Sequence, residues 1–442
     1  MSWIDWLVLI AFLGYTIWDG TRRGKDADTI EGYLLANRSM PWWAAGLSVM
    51  ATQASAITFI GTTGIAYVED MRFVQTYLAV PFAMIFICMF LVPFFSRMKA
   101  FTAYESLEER FGLKTRLTTA GLFLISRGLA LGVIIAAPSY VLSLLLGLPL
   151  NITILIIGVI ATFYTTVGGI AGVINTDVKQ MAVMMFGLIF CFGLIWMNLP
   201  DEIGFDGALY LAGSLDKLTV MDFSFDLSEK YNVWSGVIAA FFLMASYFGT
   251  DQSQVKRYLT TDSEKNAQKS LLLTAYAKVP MQFFILLLGV MLYVFFIFNS
   301  APASFRATEP VAQTEQQQIA EQKILHEYEL AHHARQQAAL EAVEKRDAAS
   351  QQLFVETDAQ MNEARDAELA LQAEIRQADV NDTNYIFPYF ILNYVPIGLI
   401  GLIVGGIFAA ALSSIDSELN ALTTVSIVDW YQRLKGDLHE EA

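Results

Sequence analysis

The sequence predicts an all-α, multi-pass membrane protein, and three observations carry that prediction. Of its 442 residues 55% are apolar and 16% charged, against roughly 45 to 50% and about 25% in a soluble domain. The charge is also concentrated: residues 301–385 hold 23 of the 71 charged side chains, and without them the charged share falls to 13%. Finally, nine stretches come close to or exceed the roughly 20 apolar residues that cross a bilayer as a helix. The formal net charge is -15, and the same 85 residues carry nine of those negative charges. The acidity therefore belongs to one soluble insert, and a nucleic-acid partner is unsupported. Cys88 and Cys191 lie in apolar runs and read as small buried hydrophobes. His326, His332, His333 and His439 all lie in polar segments, so no histidine is at membrane depth for a zinc, haem or Ser/His site. An intramembrane enzyme of those types is therefore not expected, and neither is a cofactor.

Residues 3–19 form the first span; the Trp3 and Trp6 start, with no basic region or small-residue cleavage site, marks a retained helix rather than a signal peptide. Spans two and three, 41–68 and 73–96, hold no charge. Span four, 118–146, holds only Arg127, and span five, 150–168, starts after the breaker Leu148-Pro149. Spans six to nine are 180–199, 232–250, 270–298 with Lys278 inside, and 396–428. Basic residues collect in alternate loops: Arg22, Arg23, Lys25 and Arg38, then Arg97, Lys99, Arg110, Lys114 and Arg116, then Lys256, Arg257, Lys265 and Lys269. By the positive-inside rule these loops are cytoplasmic, which places the N-terminus outside and the C-terminus inside the inner (plasma) membrane.

Four regions follow: spans one to eight over 1–299, an extracytoplasmic insert over 300–385, span nine over 386–434, and a tail over 435–442. From Thr314 to Gln377 the insert has no Gly or Pro and is rich in Ala, Gln, Glu and Arg, which predicts a protruding helical hairpin. Its apolar residues are too irregular to fix a coiled-coil register. A partner-docking arm and a tolerated surface insertion both remain open.

Polar groups on lipid-spanning helices are costly, so a shared face asks for an explanation. Ala410, Ser413, Ser414 and Ser417 fall at i, i+3, i+4 and i+7 of span nine. Span two carries Ser48, Thr52 and Ser55, followed by Gly61-Thr62-Thr63-Gly64. Close packing through small residues and a hard-cation site, with hydroxyls on one helix and carbonyls freed by a break in another, both fit this pattern.

The stretch from Gly405 to Asn420, with Ser413, Ser414, Asp416 and Ser417 inside it and Val428-Asp429-Trp430-Tyr431 after it, resembles the signature helix of the sodium/solute symporter family. So do Met40-Pro41-Trp42-Trp43 leading to Ser55–Gly61, Gly168-Gly169 leading to Thr176-Asp177, and Tyr247–Gln252 leading to Lys256–Leu259. The resemblance implies a broken-helix bundle of two inverted five-helix repeats behind one extra helix, with spans two to six as the first repeat. Spans seven to nine begin the second, whose remaining helices are not in this sequence. An incomplete, non-transporting receptor or scaffold, or one half of a split transporter, is the alternative to sodium-coupled symport of a small organic solute.

The resemblance further implies that sodium binds the carbonyls of Ala51, Ala54 and Ala410 and the hydroxyls of Ser413 and Ser414. Asp177 matches an acid that serves a second ion or the ion exit path. Gln53, Thr58, Tyr247 and Lys278 match positions along the substrate pathway or its gate. Ile57 and Thr58 replace the acid and amide of sugar carriers, and Gln53 replaces an aspartate of proline carriers, so galactose-like sugars and proline are disfavoured. A small organic anion or a sialic-acid-like acid stays permissible. Arg127 reads as an ion-pair residue, and Asp416 and Glu418 as helix or loop contacts.

Overall fold

The computed structural model describes residues 1–23, 29–98, 100–226, 228–306 and 314–435, the side chains of Arg23 and Ile57 excepted. Lys25, Lys99, His439 and the tail beyond Lys435 lie outside the described residues.

The first half of the chain runs through α1 (Trp3–Arg23), α2 (Ile30–Leu35), α3 (Trp42–Gln53), α4 (Ala56–Val68), α5 (Gln75–Met98), α6 (Glu105–Phe111), α7 (Leu113–Leu146) and α8 (Leu150–Met197). Then come α9 (Gly204–Ser214), a π-helical turn (Trp234–Ala239) leading into α10 (Ala240–Thr250), α11 (Gln252–Leu259) and α12 (Glu264–Phe298). The insert forms α13 (Glu315–Lys345) and α14 (Ala348–Arg376); α15 (Ile386–Tyr394), α16 (Leu399–Thr424), a second π-helical turn (Val425–Tyr431) and α17 (Gln432–Lys435) close the chain. Among the described residues every regular element is thus helical, as the composition predicts.

Five helices are long and apolar enough to cross a membrane, Arg72–Met98, Leu113–Leu146, Leu150–Met197, Glu264–Phe298 and Leu399–Lys435, and the α3/α4 pair, bent by 56°, passes the same test together. The apolar window of the last of these is 89% buried and that of α12 is 78% buried, against 22% for α7. The two enclosed helices form the axis, and α7 turns most of its surface outward.

Three expectations need correction. The spans expected at 150–168 and 180–199 are two helices that meet at Gly169, where φ is 56° and ψ -165°, so the second starts at Ile170 rather than at 180. A glycine tolerates that kink without the Cβ penalty. The residues between were read as a short loop holding Lys179, with Asp177 at the start of the next span. Instead Lys179 pairs with Asp19, and Asp177 pairs with Arg257 at 2.7 Å. The second correction concerns α11: a break at Asp251 turns the chain back into the bundle, so Lys256 and Arg257, 2% and 0% exposed, are not loop residues. Arg116, also counted to a loop, is buried on α7 against Asp429 at 2.6 Å.

The third concerns the hairpin. Its helices start and stop as the composition suggests, with a Thr314–Gln317 capping box, a left-handed Arg346 and an Asp347 cap. It does not simply protrude. Ala338, Ala339, Ala342 and Phe354 belong to the principal hydrophobic core. Arg335, 1% exposed, donates to the Phe296 carbonyl at the end of α12 at 2.9 Å and lies 3.4 Å from Asp358, which accepts from the Tyr293 hydroxyl at 2.7 Å. A cation on the last carbonyls of a helix satisfies orphan acceptors and opposes the macrodipole. Half-buried His332 shares the Phe296 carbonyl at 3.0 Å, and burial holds its ring below the ordinary histidine range. Removing residues 314–377 would leave Tyr293 and the end of α12 bare, so the reading as a tolerated insertion gives way to a docked one. Lys217, after α9, serves α4 in the same way: its ammonium donates to the carbonyls of Tyr67 at 2.7 Å and of Val68 and Glu69 at 3.3 Å, and lies 4.0 Å from the Tyr293 ring centroid.

Candidate functional site

The site is built around the gap between α3 and α4. Helix α3 ends because Ala54 leaves helical geometry (φ -84°, ψ 61°), and Ser55, extended, caps α4 by accepting from the Thr58 amide at 3.4 Å. Two helix ends therefore meet in the buried interior, carbonyls from α3 on one side and amides of α4 on the other. Helix α16 crosses this gap with its small, hydroxyl-bearing face. The Ser414 hydroxyl donates to the Thr52 carbonyl at 3.1 Å and to Ala410 at 3.3 Å, and Ser417 Oγ lies 3.0 Å from Thr52 Oγ1. Ser413 Oγ is buried with no hydrogen-bond partner among the described residues. The Ala51 carbonyl accepts from the Ala54 amide at 3.0 Å, and Ala51, Ala54 and Ala410 are all fully buried. The break and the serine stripe are thus adjacent, with Thr52 as the direct contact between them. Sequence reasoning placed Thr52 on the polar face of span two but gave the ligand role to its neighbours; its place midway between Ser48 and Ser55 was the available signal.

Beneath this neutral layer lies a charged one. Asp177, fully buried, accepts from the Ser48 hydroxyl at 2.5 Å and from Arg257 at 2.7 Å, and the same guanidinium also reaches the hydroxyls of Ser48 and Ser417. Tyr164 donates to Asp416 beside them. Arg257 was missed as a site residue because its motif looked like a basic loop. A buried charge without a partner is costly, so each carboxylate here needs its donors.

A third layer closes the side away from the hairpin. Arg127 on α7 pairs with Asp251 at the α10/α11 break and with Glu418 on α16 at 3.5 Å, and its guanidinium lies 5.8 Å from the Tyr247 ring centroid. The Tyr247 hydroxyl accepts from Gln254 at 2.7 Å. Farther along, Arg116 joins Asp429 and Glu108, the latter at 2.7 Å.

The residues expected along a pathway separate into two groups. Gln53, Tyr247 and Ser414 line one cavity of about 190 Å³, which Arg127 and Glu418 also border. Thr58 lines another of about 420 Å³ on the hairpin side, together with Tyr77. Lys278 is fully buried between helices; its ammonium makes no hydrogen bond among the described residues and lies 5.4 Å from the Tyr77 ring centroid.

Comparison with known proteins decides the family. The model of the "Sodium:solute symporter family" matches residues 33–325. The chain belongs to the sodium/solute symporter family. This family is one of transporters, not enzymes, and its members are multi-pass membrane proteins. This symporter-family chain is 29% identical over 292 residues to the human sodium/iodide cotransporter, covering 66% of the chain and 44% of that protein. It is 26% identical over 442 residues to a sodium/sialic acid symporter of Proteus mirabilis, covering 98% of the chain and 72% of that protein. It thus spans less than half the length of the first and under three quarters of the second. A solved structure described as the substrate-bound outward-open state of a Na+-coupled sialic acid symporter superposes with a TM-score of 0.76 at 26% identity, over 100% of this chain and 77% of that one. The all-helical fold is therefore shared across the whole chain, beyond the segment that the family model covers.

Proposed function

We propose that this chain carries out sodium-coupled symport of a small organic solute, an acid of the sialic type, across the plasma membrane. One observation carries the proposal: the Ser414 hydroxyl sits 3.1 Å from a main-chain oxygen at the α3/α4 break. Sodium, a hard cation, would be held by the carbonyls of Ala51, Ala54 and Ala410 and by the oxygens of the Ser413 and Ser414 hydroxyls, which keep their protons and turn them away from the ion. Bridging α16 to the broken helix would stabilise the state in which solute binds, which is how one ligand raises the affinity of another.

Asp177 fits the ion exit path better than a second ion site, because the Arg257 guanidinium already neutralises it. Sodium leaving towards that side would first have to displace the pair. Gln53 and Tyr247 border the cavity next to Ser414 and serve as pathway and gate, with the Arg127 contacts as the latch. Thr58 and Lys278 serve on the hairpin side of the break. The orientation that fits is nine spans, obtained by counting α1, the two halves of α8 and α10/α11 separately, with the hairpin outside and the N-terminus outside. The relatives, sodium/sialic acid symporters among them, support the acid reading.

The test is uptake into liposomes with and without a sodium gradient, over a panel of sugar acids, monocarboxylates and neutral sugars. Sodium-driven uptake of a sugar acid is expected, and Ser414→Ala should raise the sodium concentration for half-maximal uptake about tenfold or more. No uptake at all would favour a receptor or scaffold, and uptake indifferent to sodium would contradict the sodium coupling.

A further inference from the structure

The hairpin side holds a cavity of about 420 Å³ in which only Thr58 has been given a pathway role above. One wall is α4, with Thr58, Thr62 and Ile65; a second is aromatic, Phe73 and Tyr77, whose rings meet edge to face at 5.8 Å. The third wall is not part of the bundle. It is the segment leaving the hairpin, with Asn381, Thr383 and Asn384.

That segment is held in place by contacts of its own. Gly64 on α4 admits the Thr383 carbonyl so closely that a Cβ there would lie 2.2 Å from its oxygen. Asp382, 3% exposed, accepts from Arg365 at 2.8 Å and from the Phe305 amide at 3.0 Å, which fastens the two ends of the insert together. The wall is therefore a built surface on a docked element, and its Asn381 and Asn384 line the same cavity as the hydroxyl-bearing Thr58 and Thr62 of α4.

The chemistry of the lining is selective. Aromatic faces suit the C–H surfaces of a ring, while amides and hydroxyls both donate and accept, which suits a solute with several hydroxyl groups. The volume falls within the range of small-molecule sites. The rim charges, Glu69 and Lys230, oppose each other in sign and face water. Lys278 lies behind Tyr77, fully buried and without a hydrogen bond among the described residues.

We propose that this cavity is an outer recognition subsite for a hydroxylated, sugar-type carboxylic acid, with Asn384 and Asn381, supplied by the insert, as specificity-determining residues. The proposal rests on the reading of the chain as a carrier of an acidic solute and assigns part of its selectivity to residues outside the helical bundle. Asn384 is the cleaner position to test, because it is exposed, whereas the Asn381 carboxamide oxygen also accepts from the Thr383 amide at 2.9 Å.

The experiment uses the full chain with N-acetylneuraminate as probe, by sodium-driven uptake in liposomes and by equilibrium binding in detergent. Asn384→Leu is expected to raise KM and Kd about tenfold, with the maximal rate and the sodium requirement unchanged, and Asn384→Gln to recover most of the loss. Unchanged KM and Kd in Asn384→Leu would overturn the subsite while leaving the transport reading intact. So would sodium-driven uptake confined to carboxylates that carry no hydroxyl groups. If uptake ignores sodium yet binding still depends on Asn384, the subsite stands and the transport reading fails. No binding of N-acetylneuraminate by the unaltered protein overturns the subsite.

Discussion

The helix breaks at α3/α4 and at α10/α11 differ in what they place at the break. At α3/α4 the chain offers only neutral oxygen: the Thr52 carbonyl, the Ser55 hydroxyl cap and the Ser414 hydroxyl across from them. At α10/α11 the break is capped by a carboxylate, Asp251, paired with Arg127, and the helix that follows carries Lys256 and Arg257 into the interior. Both interruptions free main-chain groups, so the break alone does not define a role. The neutral one can accept a cation from solution, because no resident charge competes for its oxygens. The ionic one is already satisfied by its own side chains, which makes it a latch between α7, α11 and α16 rather than a receptor for an ion.

The largest way to break this comparison is to unbalance the ionic layer. Arg257→Met would leave Asp177 buried without its cation, at a cost of about 3–5 kcal/mol, and is expected to lower the Tm sharply or abolish folded protein. Arg257→Met combined with Asp177→Asn should recover most of that loss, as measured by thermal unfolding in detergent. Equal damage in the single and double variants would mean that the pair is not the resident neutralisation described here.

A smaller effect sharpens the contrast at the far end of α4, where a cation does belong. Burial pushes the Lys217 ammonium down to about 8. The unfolded chain, with an ordinary lysine near 10.4, then binds more protons than the folded one between those values, so stability rises as pH climbs through that window. Below about 8 both states hold the proton and this dependence ends. The span corresponds to about 3 kcal/mol. Lys217→Met should flatten the difference in Tm between pH 8 and pH 10, and a variant that keeps the full slope would show that another group carries it.

The smallest expected effect concerns the latch itself. Arg127 is 23% exposed, and a partly solvated ion pair of this kind contributes about 1 kcal/mol or less. Asp251→Asn should therefore leave the Tm nearly unchanged while shifting the population towards the state open on the side away from the hairpin. A cysteine placed at Ile134, which borders the 190 Å³ cavity, should then react faster with a polar maleimide from that side. Unaltered reactivity would remove the latch from the account.

The fold class was legible because apolar runs and the near absence of charge report directly on burial in lipid. The serine stripe was legible because the i, i+3, i+4, i+7 spacing survives in any helix. What escaped was polar pairing across distance. Lys179 looked like a loop residue because no local signal announces Asp19 as its partner, nothing local tied Asp177 to Arg257, and the same ambiguity put Arg116, Lys256 and Arg257 in loops. Asp251, inside a recognised motif, gave no sign that Arg127 faces it from a helix about 120 residues earlier. The hairpin was misjudged for the opposite reason. Its composition reports helix propensity, but the alanine face that docks on α12 is as featureless in sequence as an alanine face turned to solvent.

The central claim is that sodium binds between α16 and the α3/α4 break, and equilibrium binding of radioactive sodium to the purified chain tests it directly. The account predicts saturable binding that potassium does not displace, lost in Ser413→Ala/Ser414→Ala and retained in Asp251→Asn. Sodium binding unchanged by removal of both serine hydroxyls, or abolished by Asp251→Asn instead, would contradict it.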